Sequence, residues 1–503
     1  MYPILIPFEL KMCENKAESQ KVLNLVEKMR NILSVLAIAA MVTACQPQNN
    51  STEKSAYSSW YQVQTGKPQN LVFASYKTTM IANGEDETLL RISVADSTDR
   101  EIMDAQLPFK ISLKGDATIT EIDGSSPELV SESDTMVVWE TQLQNGIKKL
   151  RLKTGTTPGK LNIEVSAKGV WPGSHEIHLI PGDVELMQPT AEQLEPEPNV
   201  IPKMIGADIS FLPQLEARGM VFKDSGVEKD AIHILKDHGF NYIRLRLFVN
   251  PELPEGYSPE QGFCDLDHTL AMAKRIKEAG LHFLLDFHYS DTWADPQKQF
   301  KPKAWEEQDF ETLTNTLNNY TKDVLLKLNE QGTLPDMVQI GNEINHGIVW
   351  PEGHISNLNN LAELLKAGTA ACREVDPDIA VMMHLALGGQ NDECVFWLDN
   401  MIARGVEFDL IGLSYYPRWH CTLDDLDANM RNLIQRYRKD VNVVEYSAFK
   451  REVHELVFNL PDGRGNGTAI WEPLNTWSRF IDREGNTTDE IKIYDEMSSK
   501  YLK

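Results

Sequence analysis

The feature that most constrains what this chain can fold into is an alternation of short apolar runs with longer amphipathic segments, sustained over about its last 300 residues. Apolar runs of about seven residues bounded by turn residues read as buried strands. They fall near 204–210, 241–248, 282–288, 337–343, 379–386, 409–416, 441–447 and 467–473. Helical spacing of apolar residues marks 230–239, 266–280, 310–332, 361–375, 423–437 and 491–502. Several of these segments close on glycine, which accepts the left-handed backbone that ends a helix. Eight strands alternating with helical segments fit a (β/α)8 TIM barrel over 204–503 better than a doubly wound sheet.

At 503 residues the chain has room for a second, smaller unit. Between 62 and 185 the apolar period falls to two, in stretches at 89–94, 109–113, 135–140, 148–152 and 161–166. Turn signals such as Asn83-Gly84 and Thr157-Pro158-Gly159 separate them. This spacing predicts a small all-β immunoglobulin-like sandwich ahead of the barrel. Trp139 and Trp171 read as core residues of that sandwich, and the sandwich itself reads as a spacer. The segment 186–203 is acidic and rich in proline, as a linker is.

The first 45 residues hold an apolar run, 32–42, that follows Arg30 and ends in Val42-Thr43-Ala44-Cys45. The run is too short to span a bilayer. A basic start, a short apolar core and a small residue before cysteine resemble a bacterial lipoprotein signal. On that reading Met29 begins the chain proper, 1–28 is a misassigned extension, Cys45 carries the lipid, and 46–61 is a flexible tether. An exported, membrane-anchored protein at the cell surface or periplasmic face is expected. Its only membrane contact would be the lipid.

With 74 acidic against 49 basic residues the formal net charge is -25, which disfavours nucleic acid and polyanionic partners. Once Cys13 and Cys45 are set aside, the four other cysteines, Cys264, Cys372, Cys394 and Cys421, are widely spaced and form no metal-binding pattern, and whether they pair is left open. No cofactor and no metal are expected.

A barrel's active site forms where its strands end. Strand one carries Asp208, strand two Arg244 and Arg246, and strand three ends Asp286-Phe287-His288. Strand four ends Asn342-Glu343, strand five carries His384, strand six ends Ser414-Tyr415-Tyr416, strand seven carries Glu445 and strand eight ends Trp471-Glu472. Two carboxyl groups about 5–5.5 Å apart suit cleavage of a glycosidic bond with retention, one as acid and then base, the other as nucleophile. Glutamates closing strands four and seven face each other across the mouth, so Glu343 is assigned the acid/base role and Glu445 the nucleophile. The charge on Glu445 then helps keep Glu343 protonated. Arg244 is placed to hold Glu445 ionised, and Asn342 to bind the sugar 2-hydroxyl. Trp293, Trp350, Trp419 and Trp471 near the strand ends are candidate stacking platforms, whereas Trp397 sits on a helix and reads as core.

At these same positions the chain resembles the arabinogalactan endo-β-1,4-galactanases of glycoside hydrolase family 53. The match lies in GADISFLPQLEARG from Gly206, NYIRLRLFVNP from Asn241, LLDFHYSDTWADPQKQFKPKAW from Leu284, VQIGNEINHGIVWPEG from Val338 and IGLSYYPRWH from Ile411. The resemblance implies hydrolysis of β-1,4-galactan, with Glu343 as acid/base and Glu445, in VNVVE, as nucleophile. It also implies sugar-binding roles for Asp286, His288, Trp293, Asn342 and Trp471. Asp208, Arg244, Trp350, His384, Tyr415, Tyr416 and Trp419 complete the candidate binding set. The chain departs from many relatives after Glu445, where Tyr446-Ser447-Ala448-Phe449 follows and only about 20 residues precede strand eight. The calcium that some bacterial relatives bind there is therefore not expected. Two other readings stand beside this one: the same chemistry on another β-1,4-glycan, and a surface glycan-binding lipoprotein without activity.

Overall fold

The computed structural model describes residues 56–121, 127–133, 136–195, 201–474 and 479–502. The lipoprotein signal, Cys45 and most of the expected tether lie outside the described residues.

The barrel consists of eight parallel strands: β1 (Met204–Asp208), β2 (Tyr242–Leu247), β3 (His282–Phe287), β4 (Met337–Ile340), β5 (Ala380–Leu385), β6 (Leu410–Tyr415), β7 (Asp440–Tyr446) and β8 (Gly465–Trp471). Neighbours pair in chain order, and β8 closes on β1. Helices α1 (Ala231–Asp237), α2 (Leu266–Glu278), α3 (Phe310–Glu330), α4 (Leu358–Val375), α5 (Asn391–Ala403), α6 (Leu423–Tyr437), α7 (Lys450–Phe458) and α8 (Lys492–Tyr501) form the outer ring. Side chains on a strand alternate between faces. Ile205, Ala207, Ile243, Leu245, Phe283 and Leu285 therefore pack outward against the helices. Met204, Tyr242, Leu284, Met337, Met382, Leu410, Val444 and Ala469 form a separate apolar layer inside the barrel. Fully burying one of its methionine, leucine or valine side chains stabilises the fold by roughly 1.5–3 kcal/mol. Side-chain caps start α1 to α4 and α6: Asp230, Asp265, Asp309 and Asn357 each accept a backbone N–H of the first turn, and Thr422 with Asp425 makes a capping box.

Helix α5, absent from the periodicity reading, is buried on more than one side. Cys394, Trp397, Leu398, Met401 and Ile402 are buried, and so are Glu393, Asp399 and Asn400. The segment before residue 196 covers it, with Met187 N–H donating to Asn400 Oδ1 (2.9 Å) and Gln193 Nε2 donating to the Ile402 carbonyl (2.8 Å). The start of the expected linker is therefore docked on the barrel, because α5 offers it polar groups that need partners. Likewise Ser58–Tyr61, placed in the tether from sequence, is a helical turn whose Tyr61 hydroxyl donates to Asp424 (2.7 Å).

Among the described residues, two six-stranded sheets precede the barrel. They share a core that includes Leu90, Ile92, Phe109, Ile111, Trp139, Leu150, Leu161 and Ile163. Trp171 does not join it: it precedes the last strand, Gly173–Pro181, its backbone bonds to Gln69 and Leu71 (2.9 Å each), and its side chain is 68% exposed. These sheets also pack on the barrel. Thr78 Oγ1 donates to Glu393 Oε1 (2.8 Å), the His178 ring stacks on His346 (3.9 Å between centroids), and Tyr76 donates to Asp425 (3.2 Å). The four cysteines Cys264, Cys372, Cys394 and Cys421 are free and buried.

Candidate active site

Above the apolar layer, the inward positions of the strands turn polar. Arg244 on β2 is 1% exposed and ties the site together. Its guanidinium lies 2.9 Å from Asp208 on β1, 2.8 Å from Asp286 on β3 and 2.9 Å from Glu445 on β7. It also donates to Asn342 Oδ1 (2.9 Å) and to Gln339 Oε1 (3.2 Å). A planar cation with five donors is the side chain suited to so many acceptors at once. Two positions along β2, Arg246 reaches Glu472 Oε1 at 2.5 Å and lies under Trp293, 4.5 Å from its ring centroid.

Glu445 reaches the mouth through an irregularity in its strand. Val444 belongs to the interior apolar layer, so strict alternation would turn the next side chain outward. Between Leu413 and Ser414 the pairing of β6 with β7 shifts register, and Ser414 pairs with Glu445. Such a bulge re-aims a side chain, and here it brings Glu445 into the site. Tyr416 donates to Glu445 Oε2 (3.3 Å), opposite the Arg244 contact on Oε1.

Glu343 follows β4 with a left-handed backbone, φ 50° and ψ 54°. For a residue with a side chain this conformation costs about 1–3 kcal/mol and persists only where the surroundings dictate it. Gly341, at φ 81°, opens the turn, and a Cβ there would sit 2.5 Å from Ile344 Cγ2. Gln299 Nε2 holds the turn from the loop after β3 by donating to the Asn342 carbonyl (2.8 Å). The carboxyl itself accepts from Ser414 Oγ (2.7 Å on Oε1), which in turn lies 2.8 Å from His384 Nε2. Burial, and then Arg244, keep His384 well below the usual imidazole range, so it is neutral. Gln339 Nε2 donates to its Nδ1 (3.0 Å), which leaves the ring proton on Nε2 for Ser414. Ser414 then donates to Oε1, and the proton of Glu343 belongs on Oε2.

Burial pushes Glu343 well above the ordinary carboxyl range, and the charge of Glu445 pushes it further. Burial also raises Glu445, to about 7, but Arg244 pulls against that. The pair therefore sheds its first proton from the carboxyl that faces a guanidinium and keeps the second on the one that faces a hydroxyl. Asp208 lies below its usual range because Arg244 and Arg246 outweigh the cost of its burial.

Glu343 and Glu445 line one cavity of about 530 Å³, together with Trp293, Asn342, Tyr416, Trp419 and Trp471. Trp293 and Trp471 stand side by side, 5.9 Å between ring centroids. Two acids with split proton affinity beside aromatic rings suit acid-assisted displacement at a sugar carbon.

A profile described as Glycosyl hydrolase family 53 matches residues 204–452. A Niallia circulans protein, described as uncharacterized and lying in the bgaB 5' region, is 46% identical over 312 residues, which is 54% of this chain and 83% of that protein. The chain belongs to glycosyl hydrolase family 53. A probable arabinogalactan endo-beta-1,4-galactanase A of Neosartorya fischeri is 38% identical over 303 residues, 53% of this chain and 83% of that one. The solved Ignisphaera aggregans GH53 catalytic domain is 32% identical with a TM-score of 0.55, and the match covers 60% of this chain and 98% of that domain.

Within this family 53 chain the other sequence candidates separate by depth. Asp208, Asp286, His288 and His384 are at most 2% exposed and do not line the cavity. They sit beneath its floor, where Asp286 accepts from Gln339 (2.7 Å) and lies 3.2 Å from His288. Tyr415 points away from the site: it is 1% exposed and its hydroxyl donates to the Cys421 carbonyl (3.5 Å), as alternation along β6 requires. Trp350 is outside the cavity, with Nε1 on the His346 carbonyl (2.9 Å) and its ring 5.5 Å from that of His178. Sequence reasoning passed over Gln339, Gln299 and the pairing role of Ser414. Gln339 had a signal, since it lies two residues after Met337 on β4 and so shares its inward face. Thr78, Ser174 and His175 also line the cavity, and nothing in a spacer-like sandwich pattern announced them.

Proposed function

We propose that this family 53 enzyme hydrolyses internal β-1,4 bonds of galactan or arabinogalactan, with retention, through a covalent galactosyl-enzyme. The observation that carries this reading is the unequal treatment of two carboxyls in one cavity: Glu445 faces a guanidinium at 2.9 Å and Glu343 a hydroxyl at 2.7 Å. Galactan as substrate is supported by the relatives' activity. In the first step a Glu445 oxygen attacks the anomeric carbon, the C1–O bond breaks, and the leaving oxygen takes the Glu343 proton. In the second, water gives a proton to Glu343, its oxygen attacks C1, and Glu445 departs as a carboxylate. Arg244 favours the charged form of Glu445 at the start and end of the cycle.

Digestion of a panel of linear β-1,4-galactan, mannan and β-glucan tests the substrate. Galactan should lose chain length early and yield mixed oligosaccharides whose new reducing ends are β by NMR before they mutarotate. Intact galactan beside degraded mannan or glucan would refute the choice of polymer, and bound galactan without new reducing ends would favour a binding protein.

Export as a lipoprotein, anchored at the cell surface or periplasmic face, is part of the same proposal. Its support is the sequence ending in Ala44-Cys45 after a short apolar run. Cells fed an alkyne fatty acid should label the wild-type protein and not Cys45→Ser, which should leave the membrane fraction. Equal labelling of both would rule out Cys45 as the lipid site.

A further inference from the structure

Ser174, His175 and Glu176 belong to the last strand of the N-terminal sheets, yet they line the same cavity as Glu343 and Glu445. Buried contacts fix that strand and its neighbours against the barrel. His178 Nδ1 lies 2.8 Å from His354 Nε2, Thr78 Oγ1 is 3.0 Å from His346 Nε2, and Gln390 Nε2 donates to the carbonyls of Ser75 (3.3 Å) and Trp419 (2.8 Å). The barrel residues in these contacts follow β4, β5 and β6. Arg244, which pairs with the nucleophile, and Trp293 and Trp471, which line the cavity, come from β2, from the loop after β3 and from β8, on the other side of the mouth. Glu343 follows β4 and leans on Ser414 of β6, so the proton donor lies on the side of the N-terminal wall. A leaving sugar departs toward the group that protonates it.

We infer that the N-terminal sheet domain completes the leaving-group half of the substrate cleft, where Ser174 and His175 share with Trp419 a subsite for a galactosyl unit beyond the cut. This rests on the galactanase reading above. The chemistry suits a pyranose. His175 Nε2 donates to the Phe73 carbonyl (2.8 Å), burial lowers the ring to about 4, and Nδ1 is left as an acceptor with no protein partner among the described residues. Ser174 is exposed and offers a hydroxyl, and Trp419, 37% exposed, offers a ring face.

The test compares the full chain with Ser174→Ala, His175→Ala and the double variant on two substrates. Linear galactan fills both halves of the cleft. An aryl β-galactobioside fills the glycone half and leaves as a phenol, without a sugar beyond the cut. For the double variant kcat/KM on galactan should fall on the order of ten-fold, while the aryl substrate stays within about two-fold. Transfer of the galactosyl group to added galactobiose, which must bind the same subsite, should fall relative to hydrolysis. Equal losses on both substrates, or undiminished galactan cleavage, would overturn the inference. A wild type that cleaves the aryl substrate and spares galactan would instead sink the galactan reading on which it rests.

Discussion

Glu445→Gly should retain less than about one ten-thousandth of wild-type activity on galactan, and sodium azide should restore turnover to an activated aryl galactoside with an α-galactosyl azide as product. The residue stands on a bulge that no neighbouring side chain can imitate, and its removal leaves a carboxylate-sized space 2.9 Å from the Arg244 guanidinium. That cation, already balanced by Asp208 and Asp286, remains to receive a small anion. Azide entering there meets C1 from the face Glu445 used, so one displacement inverts a β-galactoside to an α product. The acid on the opposite side has no part in cleaving the α-azide, which accumulates. A β-azide, or substantial residual hydrolysis, would show that the roles of the two glutamates are misassigned. The folded state should survive the change better than loss of Arg244 would, because removing one of three carboxylates leaves the guanidinium paired.

The barrel was legible because its strands are continuous apolar runs buried on both faces, and such runs announce themselves whatever lies around them. Each sequence-placed strand overlaps an observed one, from Met204–Asp208 to Gly465–Trp471. Helix α5 was not among the segments read from helical spacing, because a helix covered on several sides has no polar stripe: Glu393 and Asn400 are buried against the N-terminal sheets and the segment after them. Within the site, rim position drew attention to Glu343 and Glu445, and the structure brings both to one cavity. The same criterion carried Tyr415 and Trp350 along with them, since closeness to a strand end fixes neither face nor loop path. The cavity wall built by Ser174 and His175 had no local signature at all. It arises from docking surfaces such as Thr78 on Glu393 and His178 on His346, contacts across more than 160 residues whose partners look like ordinary polar residues in either segment.

Glu343→Ala should separate substrates by leaving group: hydrolysis of galactan falls by about 10²–10⁴-fold, while release of dinitrophenol from an activated galactobioside changes little in its first step. A sugar hydroxyl leaves poorly unless protonated, whereas dinitrophenolate leaves unaided. The second step still needs a base, so the variant should show a burst of phenol followed by slow turnover, and azide should here give the β-galactosyl product after two inversions. The pH profile follows from the same pair. In the wild type, kcat/KM on galactan should fall on the acid side as Glu445 gains a proton and on the alkaline side as Glu343 loses one. Both limbs lie above ordinary carboxyl values because burial raises both groups. With the activated substrate, Glu343→Ala should lose the alkaline limb and keep the acid one; persistence of both would place the alkaline group elsewhere. When Glu445 becomes an ester its charge disappears, and the repulsion that raised Glu343 goes with it. Burial still holds Glu343 up, so its proton affinity falls only part of the way, as a group that must act as acid in one step and base in the next requires.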